Sequence, residues 1–440
     1  MLAPRDPRES HLPGGYGRGT FYVGQRSPRL VRGYGFRVVD EAGRALIDLN
    51  NNFTVLVHGH AHPQVTEAAV DAAWAGACFG MPTAAELDHA EELVGRVPWA
   101  EQVRYASSGT EAVMLAVRLA RASTARNRIV VLSPAYHGTA DAVLPAPGAV
   151  RGVPEGTLAD VVTVAPGDVD AVHAAFDAFG DDIAAVLLDL APALDGCVPL
   201  EETFVRAVDD LARAHGAFVV VDEIISFRHA VAGYAHDGYG LAPDLLVVGK
   251  VIGGGFPIGA VLGTEESMRL LDPSLPDGLQ HGGTFTANPV SLRAGKAALR
   301  LYDHGAVERL NALGRVARHR LGEVARPFGW DVRGVGSVFR LAPAENDSAE
   351  RRRALWWAAY DHGVLLSTSG VLCLSTPMDE PVLDDIADRL HASFETMEDR
   401  REHARRSLRS RRGMLTIRTA RPARCTDCAR EAAGTNDTLR

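Results

Sequence analysis

The sequence predicts an α/β protein, with a mainly parallel sheet covered by helices on both faces and a smaller α+β domain beside it. Three observations lead there. Short apolar runs at 129–132, 161–164, 184–188, 218–221 and 245–248 alternate with helical patterns, as buried parallel strands joined by crossover helices do. Beyond about residue 300 that alternation gives way to longer helical patterns and isolated strand-like pieces. The 440 residues also exceed what one hydrophobic core comfortably holds, so two packed domains are expected.

In chain order, 36–49 reads as a hairpin turning at Asp40-Glu41-Ala42-Gly43, and 65–75 as a helix. A helix follows Ser108 and runs to about Ala122, and another spans 202–215 between two strand runs. Helical patterns then cover 307–325, 349–362 and 381–397. The expected organisation is an N-terminal segment 1–50 that contributes to the small domain, a large α/β domain 51–300, a small domain 301–399 and a basic tail 400–440.

An apolar fraction of 46% with 23% charged residues belongs to a globular chain rather than a disordered one. No apolar run is long enough to span a bilayer, and the polar start does not read as a signal peptide, so a cytoplasmic protein without membrane contact is expected. Five scattered cysteines do not form a disulfide framework. Cys425 and Cys428 make a CxxC in the tail, but no second pair completes a zinc site, and no metal is expected. Residues 400–440 carry twelve arginines against four acids, which leaves the remaining chain strongly acidic. That body argues against an extended nucleic-acid footprint, and the tail reads as a solvated segment. The chain has only two lysines, Lys250 and Lys296, beside 44 arginines. A lysine kept amid so many arginines points to an amine that must lose its proton, which a guanidinium does not do.

Three constellations carry chemistry. Ser108-Gly109-Thr110-Glu111 has capping-box spacing, and the free N–H groups of a helix start favour a phosphate; an ordinary helix cap is the alternative. Asp222-Glu223 follows a buried strand, where ligands gather in open α/β sheets, and a buried acid there needs a cationic or hydrogen-bonding partner. Such a partner can equally be a structural ion pair. Lys250 follows another buried strand and precedes a Gly-rich turn, and burial beside other cations makes an amine nucleophilic. Lys296 lies on a helical surface pattern and is assigned no role. The histidines of His58-Gly59-His60-Ala61-His62-Pro63 lack acidic or cysteine ligands nearby and read as structural.

Together, SSGTEAVMLAVRLAR, the AYHG around Tyr136 and His137, VVDEIISFR, VVGKVIGGGFPIGAVLG and HGGTFTANPVSLRAG resemble the class III aminotransferase family of fold-type I pyridoxal-phosphate enzymes, from about residue 12 to 398. The nearest branch is that of the glutamate-1-semialdehyde aminomutases. The resemblance implies that Lys250 forms the internal aldimine with pyridoxal 5′-phosphate and later shuttles a proton. It implies that Asp222 pairs with the pyridine nitrogen, so that the ring acts as an electron sink. By the same resemblance Gly109 and Thr110 hold the phosphate, Tyr136 stacks on one ring face and Ile224 packs on the other. Thr284 would reach the phosphate of a neighbouring subunit, making the active unit a homodimer with shared sites.

The chain also departs from the family. Asp189-Leu190 stands where a Glu-Pro pair is common, and DEIISFR is one residue shorter than the usual form. The stretch 365–376 has neither the usual carboxylate-binding arginine nor the aminomutase's glutamate. Arg18 lies near the N-terminal carboxylate-binding arginine of that branch, and a guanidinium grips a carboxylate bidentately. The leading expectation is an aminotransferase that moves an amino group between a small amine or amino acid and a keto acid or aldehyde. A 1,2-aminomutase or amino-acid epimerase is the alternative, and a non-catalytic protein on the same fold stands behind both.

Overall fold

Each apolar run pairs with its neighbours because two covered faces leave room only for side chains such as Val, Ile and Leu. The computed structural model describes residues 7–24, 26–144 and 150–417, with side chains as far as residue 400. An N-terminal group holds β1 (Leu30–Tyr34), β2 (Arg37–Asp40) and β3 (Ala45–Asp48). Seven strands follow: β4 (Gln102–Ala106), β5 (Arg128–Leu132), β6 (Val161–Val164), β7 (Ile183–Leu188), β8 (Phe218–Asp222), β9 (Leu245–Gly249) and β10 (Gly259–Gly263). The last are β11 (Trp330–Val335), β12 (Val338–Pro343), β13 (Val364–Leu365) and β14 (Val371–Cys373).

The seven strands form one sheet in the order β4-β10-β9-β8-β7-β5-β6. From β6 through β5, β7, β8 and β9 every pairing is parallel, and β10 runs antiparallel to β9 and β4. The expected α/β class and mainly parallel sheet are therefore found. Neither β4 nor β10 was legible as a strand, since Gln102 and Arg104 interrupt one run and a glycine stands at each end of the other.

The expected hairpin forms between β2 and β3, and its turn is held by Asp40, whose Oδ1 accepts the amides of Ala42 and Arg44. Short β13 pairs parallel to β3, so residues far apart in sequence share one small sheet, and β11-β12-β14 make another. Helix Glu202–His215 has the bounds the sequence predicts; it buries Phe204, Val205, Val208 and Ala212. Burial of each large side chain there contributes about 1.5–3 kcal/mol.

By contacts, the described residues up to Phe394 group as one compact unit, and those from Glu395 to Ile417, which are helical, belong to another. Cys425, Cys428 and the end of the basic tail lie outside the described residues. Among the described residues no helix is long and apolar enough to cross a membrane.

Candidate active site

Asp189 follows the carboxyl end of β7, Asp222 closes β8 and Lys250 follows β9, as the switch-point logic of open α/β sheets favours. Lys250 opens a tight turn at φ 49°, a left-handed value that a non-glycine residue holds only when its surroundings impose it. The turn is braced from outside. Helix Pro289–Leu301 packs against it through Gly295, where a Cβ would come within 2.0 Å of Ile252 O. The His89 Nε2 meets the same carbonyl at 2.8 Å. Burial pulls the Lys250 amine down to about 8, against the opposing pull of Asp222 and then Asp189. An amine so placed readily gives up its proton.

Asp222 is buried but not isolated. Its Oδ1 accepts the amide of Ile224 at 3.0 Å, and its Oδ2 lies 2.8 Å from His137 Nδ1. His137 is itself buried, and among the described residues its Nε2 has no hydrogen-bond partner. Glu223 turns away and accepts the amides of Tyr234 and Ala235; burial pushes it up to about 7. Of the two neighbouring carboxylates, only Asp222 belongs to the Lys250 site.

The helix Gly109–Thr124 begins against this group. The Ser108 Oγ accepts the amide of Glu111, as capping requires, while the Glu111 carboxylate reaches the amide of Ser107 rather than that of Ser108. Gly109 lies directly under Ile224, whose Cδ1 would be 2.6 Å from a Cβ there, so the helix start and the Asp222 loop touch. Thr110 packs on Gly138, two residues beyond Tyr136. The Tyr136 ring is exposed.

Two expected residues stand apart. Thr284 is exposed on a loop beside Cys78, whose Sγ lies 3.5 Å from Thr284 O. Arg18 lines a cavity of about 720 Å³ with Asn52, Phe53, Asp48, His60 and Trp356, and Lys250 is not among the lining residues. Its guanidinium donates to Asn52 Oδ1 at 2.6 Å and lies 4.1 Å from the centre of the Phe21 ring. The three histidines of the 58–62 segment are spent locally in part: His58 meets Thr376 Oγ1 and Ala298 O, and His60 pairs with Asp48.

Sequence reasoning missed the turn Asn51–Thr54, in which four consecutive residues have φ between 45° and 75°. Asparagine tolerates that conformation, so the Asn50-Asn51-Asn52 run was a usable signal, but Phe53 and Thr54 have no such ease. Hydrogen bonds impose it. Asp48 Oδ1 accepts the amides of Asn50 and Asn51, and Asn51 Nδ2 donates to Asp48 O and Cys373 O. The fully buried Arg228 donates to Thr54 O at 3.1 Å, to Ser337 Oγ at 3.1 Å and to Leu374 O at 2.5 Å. Among the described residues no carboxylate lies within ion-pair distance of that cation. It joins the β8 loop, the N-terminal turn and the C-terminal strands.

Residues 23–391 match the family profile described as aminotransferase class-III. A Brevibacillus brevis protein named glutamate-1-semialdehyde 2,1-aminomutase 2 is 34% identical over 88% of this chain and 96% of its own. The solved structure of an omega-transaminase from Sphaerobacter thermophilus superposes with a TM-score of 0.84 at 36% identity, covering 89% of this chain and 96% of the other. A beta-phenylalanine aminotransferase from Variovorax paradoxus superposes with a TM-score of 0.82 at 27% identity, over 89% and 93%.

Replacing Arg228 by methionine strips donors from two buried carbonyls, each costing about 1–3 kcal/mol when left unpaired. Denaturant unfolding of Arg228→Met should show a loss of about 2 kcal/mol or more. Unchanged stability would contradict the clamp.

Proposed function

Because the chain belongs to the class-III aminotransferase family, we propose that it is a pyridoxal 5′-phosphate-dependent aminotransferase with Lys250 as its covalent anchor. The observation that carries this is the juxtaposition of a readily deprotonated Lys250 with the buried carboxylate of Asp222 on adjacent strand ends. The residues present fit the cofactor. Lys250 offers an amine to its aldehyde, Asp222 a carboxylate to its ring nitrogen, and the amides at Gly109 and Thr110 a helix start to its phosphate. Ile224 and Tyr136 offer apolar and aromatic surface to the two ring faces. Bound pyridoxal phosphate supplies an electrophilic carbon and an electron sink.

The chain's own residues do the rest. Lys250 Nζ takes and returns a proton, and its depressed basicity suits both steps. Asp222 is held in one orientation by His137 and the Ile224 amide, so its carboxylate need not reorganise when it meets a cation. The substrates we infer are small amines or amino acids as donors and keto acids or aldehydes as acceptors. A β-amino-acid or aryl-substituted range suits a 365–376 stretch without arginine, and it agrees with the beta-phenylalanine aminotransferase among the similar structures. We assign Arg18 to a carboxylate of the larger donors. It lies on Asn52, one turn from the Thr54–Arg228 contact.

A 1,2-aminomutase is the second reading, favoured by the 34% identity to the Brevibacillus brevis protein. A donor panel separates the two. An aminotransferase converts bound cofactor stoichiometrically to its amine form while releasing a carbonyl product, and an acceptor reverses this; a mutase releases no carbonyl product. With carboxylated donors, Arg18→Ala should raise KM about tenfold, the equivalent of about 1.4 kcal/mol, and leave amines without a carboxylate unaffected. Failure of every donor to convert the cofactor would contradict transfer.

The homodimer with shared sites is supported by exposed apolar side chains beside Thr284 and its contact Cys78, namely Phe79 and Phe285. Mixing inactive Lys250→Ala with a weakened Thr284→Ala should regain activity, since each hybrid dimer holds one intact site. No regain on mixing would count against a shared site.

A further inference from the structure

The cavity of about 720 Å³ lined by Arg18 carries charges of both signs. On its wall Glu9 pairs with Arg26 at 2.9 Å and with Arg29 at 2.7 Å, and Asp48 pairs with His60 at 2.7 Å. Arg18 differs. Among the described residues no carboxylate lies within ion-pair distance of it, and its hydrogen bond runs to a neutral partner, Asn52 Oδ1, at 2.6 Å. A cation without an anion on a cavity wall favours an anionic ligand. Phe53, Trp356, Leu365 and Leu366 line the same space and offer apolar surface to the rest of such a ligand.

Asn52 is held as firmly as the guanidinium it meets. Its backbone sits at φ 51° and ψ 55° within the left-handed turn. Asn50 Oδ1 accepts the amide of Phe53 at 2.6 Å, and Arg228 donates to Thr54 O at 3.1 Å, so the turn is fixed on the C-terminal side of Asn52. The rings of Phe21 and Phe53 lie 4.1 Å and 5.4 Å from the guanidinium carbon, within reach of cation–π attraction. A guanidinium has more N–H donors than Asn52 uses, which leaves a fork for a carboxylate. What Asn52 does not bring is charge. An amide oxygen orients the guanidinium without neutralising it, whereas an aspartate would fill the same space and consume the charge.

We propose that Asn52 is a positioning residue that sets the ligand preference of the Arg18 subsite: its neutral amide oxygen fixes the guanidinium and leaves the positive charge for the carboxylate of an arylalkyl donor. The inference rests on Arg18 receiving donor carboxylates.

Two substitutions suit the turn, because aspartate and glycine both accept a left-handed backbone. Asn52→Asp keeps the size and adds a charge; Asn52→Gly removes the side chain. The test is calorimetric binding of phenylpropanoate and of its neutral analogue phenylpropanamide to the pyridoxal-phosphate-loaded protein. The unsubstituted protein should prefer the acid. The ratio of the two Kd values should fall about tenfold in Asn52→Asp, where the guanidinium is already paired, and about threefold in Asn52→Gly, where one hydrogen bond is lost. Arg18→Ala should abolish the preference. Damage to the turn alone would weaken acid and amide alike and leave the ratio unmoved, which overturns the proposal. Loss of the preference in Arg18→Ala together with its retention in Asn52→Asp overturns it too, and leaves the Arg18 assignment standing. An unsubstituted protein without preference, or Arg18→Ala that keeps it, overturns that assignment and this inference with it.

Discussion

The structure depends on the burial of one amine beside two carboxylates at the ends of adjacent parallel strands. Burial disfavours the charged form of Lys250, and the carboxylates of Asp222 and Asp189 favour it. The balance leaves a lysine that holds its proton loosely. The sheet sets where these groups stand: Asp222 closes β8, and Asp189 and Lys250 follow directly on β7 and β9.

Around that centre, conformations that are costly in isolation are held by polar contacts. The left-handed turn Asn51–Thr54 and the positive φ of Lys250 are each strained. Asp48, Asn51 and Arg228 hold the first; helix Pro289–Leu301 and the Ile252 carbonyl contact of His89 hold the second. Arg228 matters most among these, because one guanidinium binds segments from three distant stretches of sequence. The same cation lies close enough to oppose charge on Lys250. Clamp and electrostatics are thus two effects of one side chain.

Much of this was legible in the sequence, for identifiable reasons. Buried parallel strands are continuous apolar runs, so β5 to β9 were readable, and the helix start at Gly109 announced itself through Ser108 and Glu111. Lys250 stood out because arginine had replaced lysine almost everywhere else. Three features escaped because they depend on partners remote in sequence. Asp189 gains its meaning only from the register with β8, Arg228 from carbonyls at positions 54 and 374, and β10 from its place between β9 and β4.

The most direct test of the central claim is chemical. Pyridoxal-phosphate-loaded protein is reduced with borohydride and digested, and the peptides are mapped by mass. The account requires a stable cofactor adduct on Lys250 and none on Lys296, whose amine is engaged with Asp88 at 3.2 Å. An unmodified Lys250 in cofactor-saturated protein would contradict it.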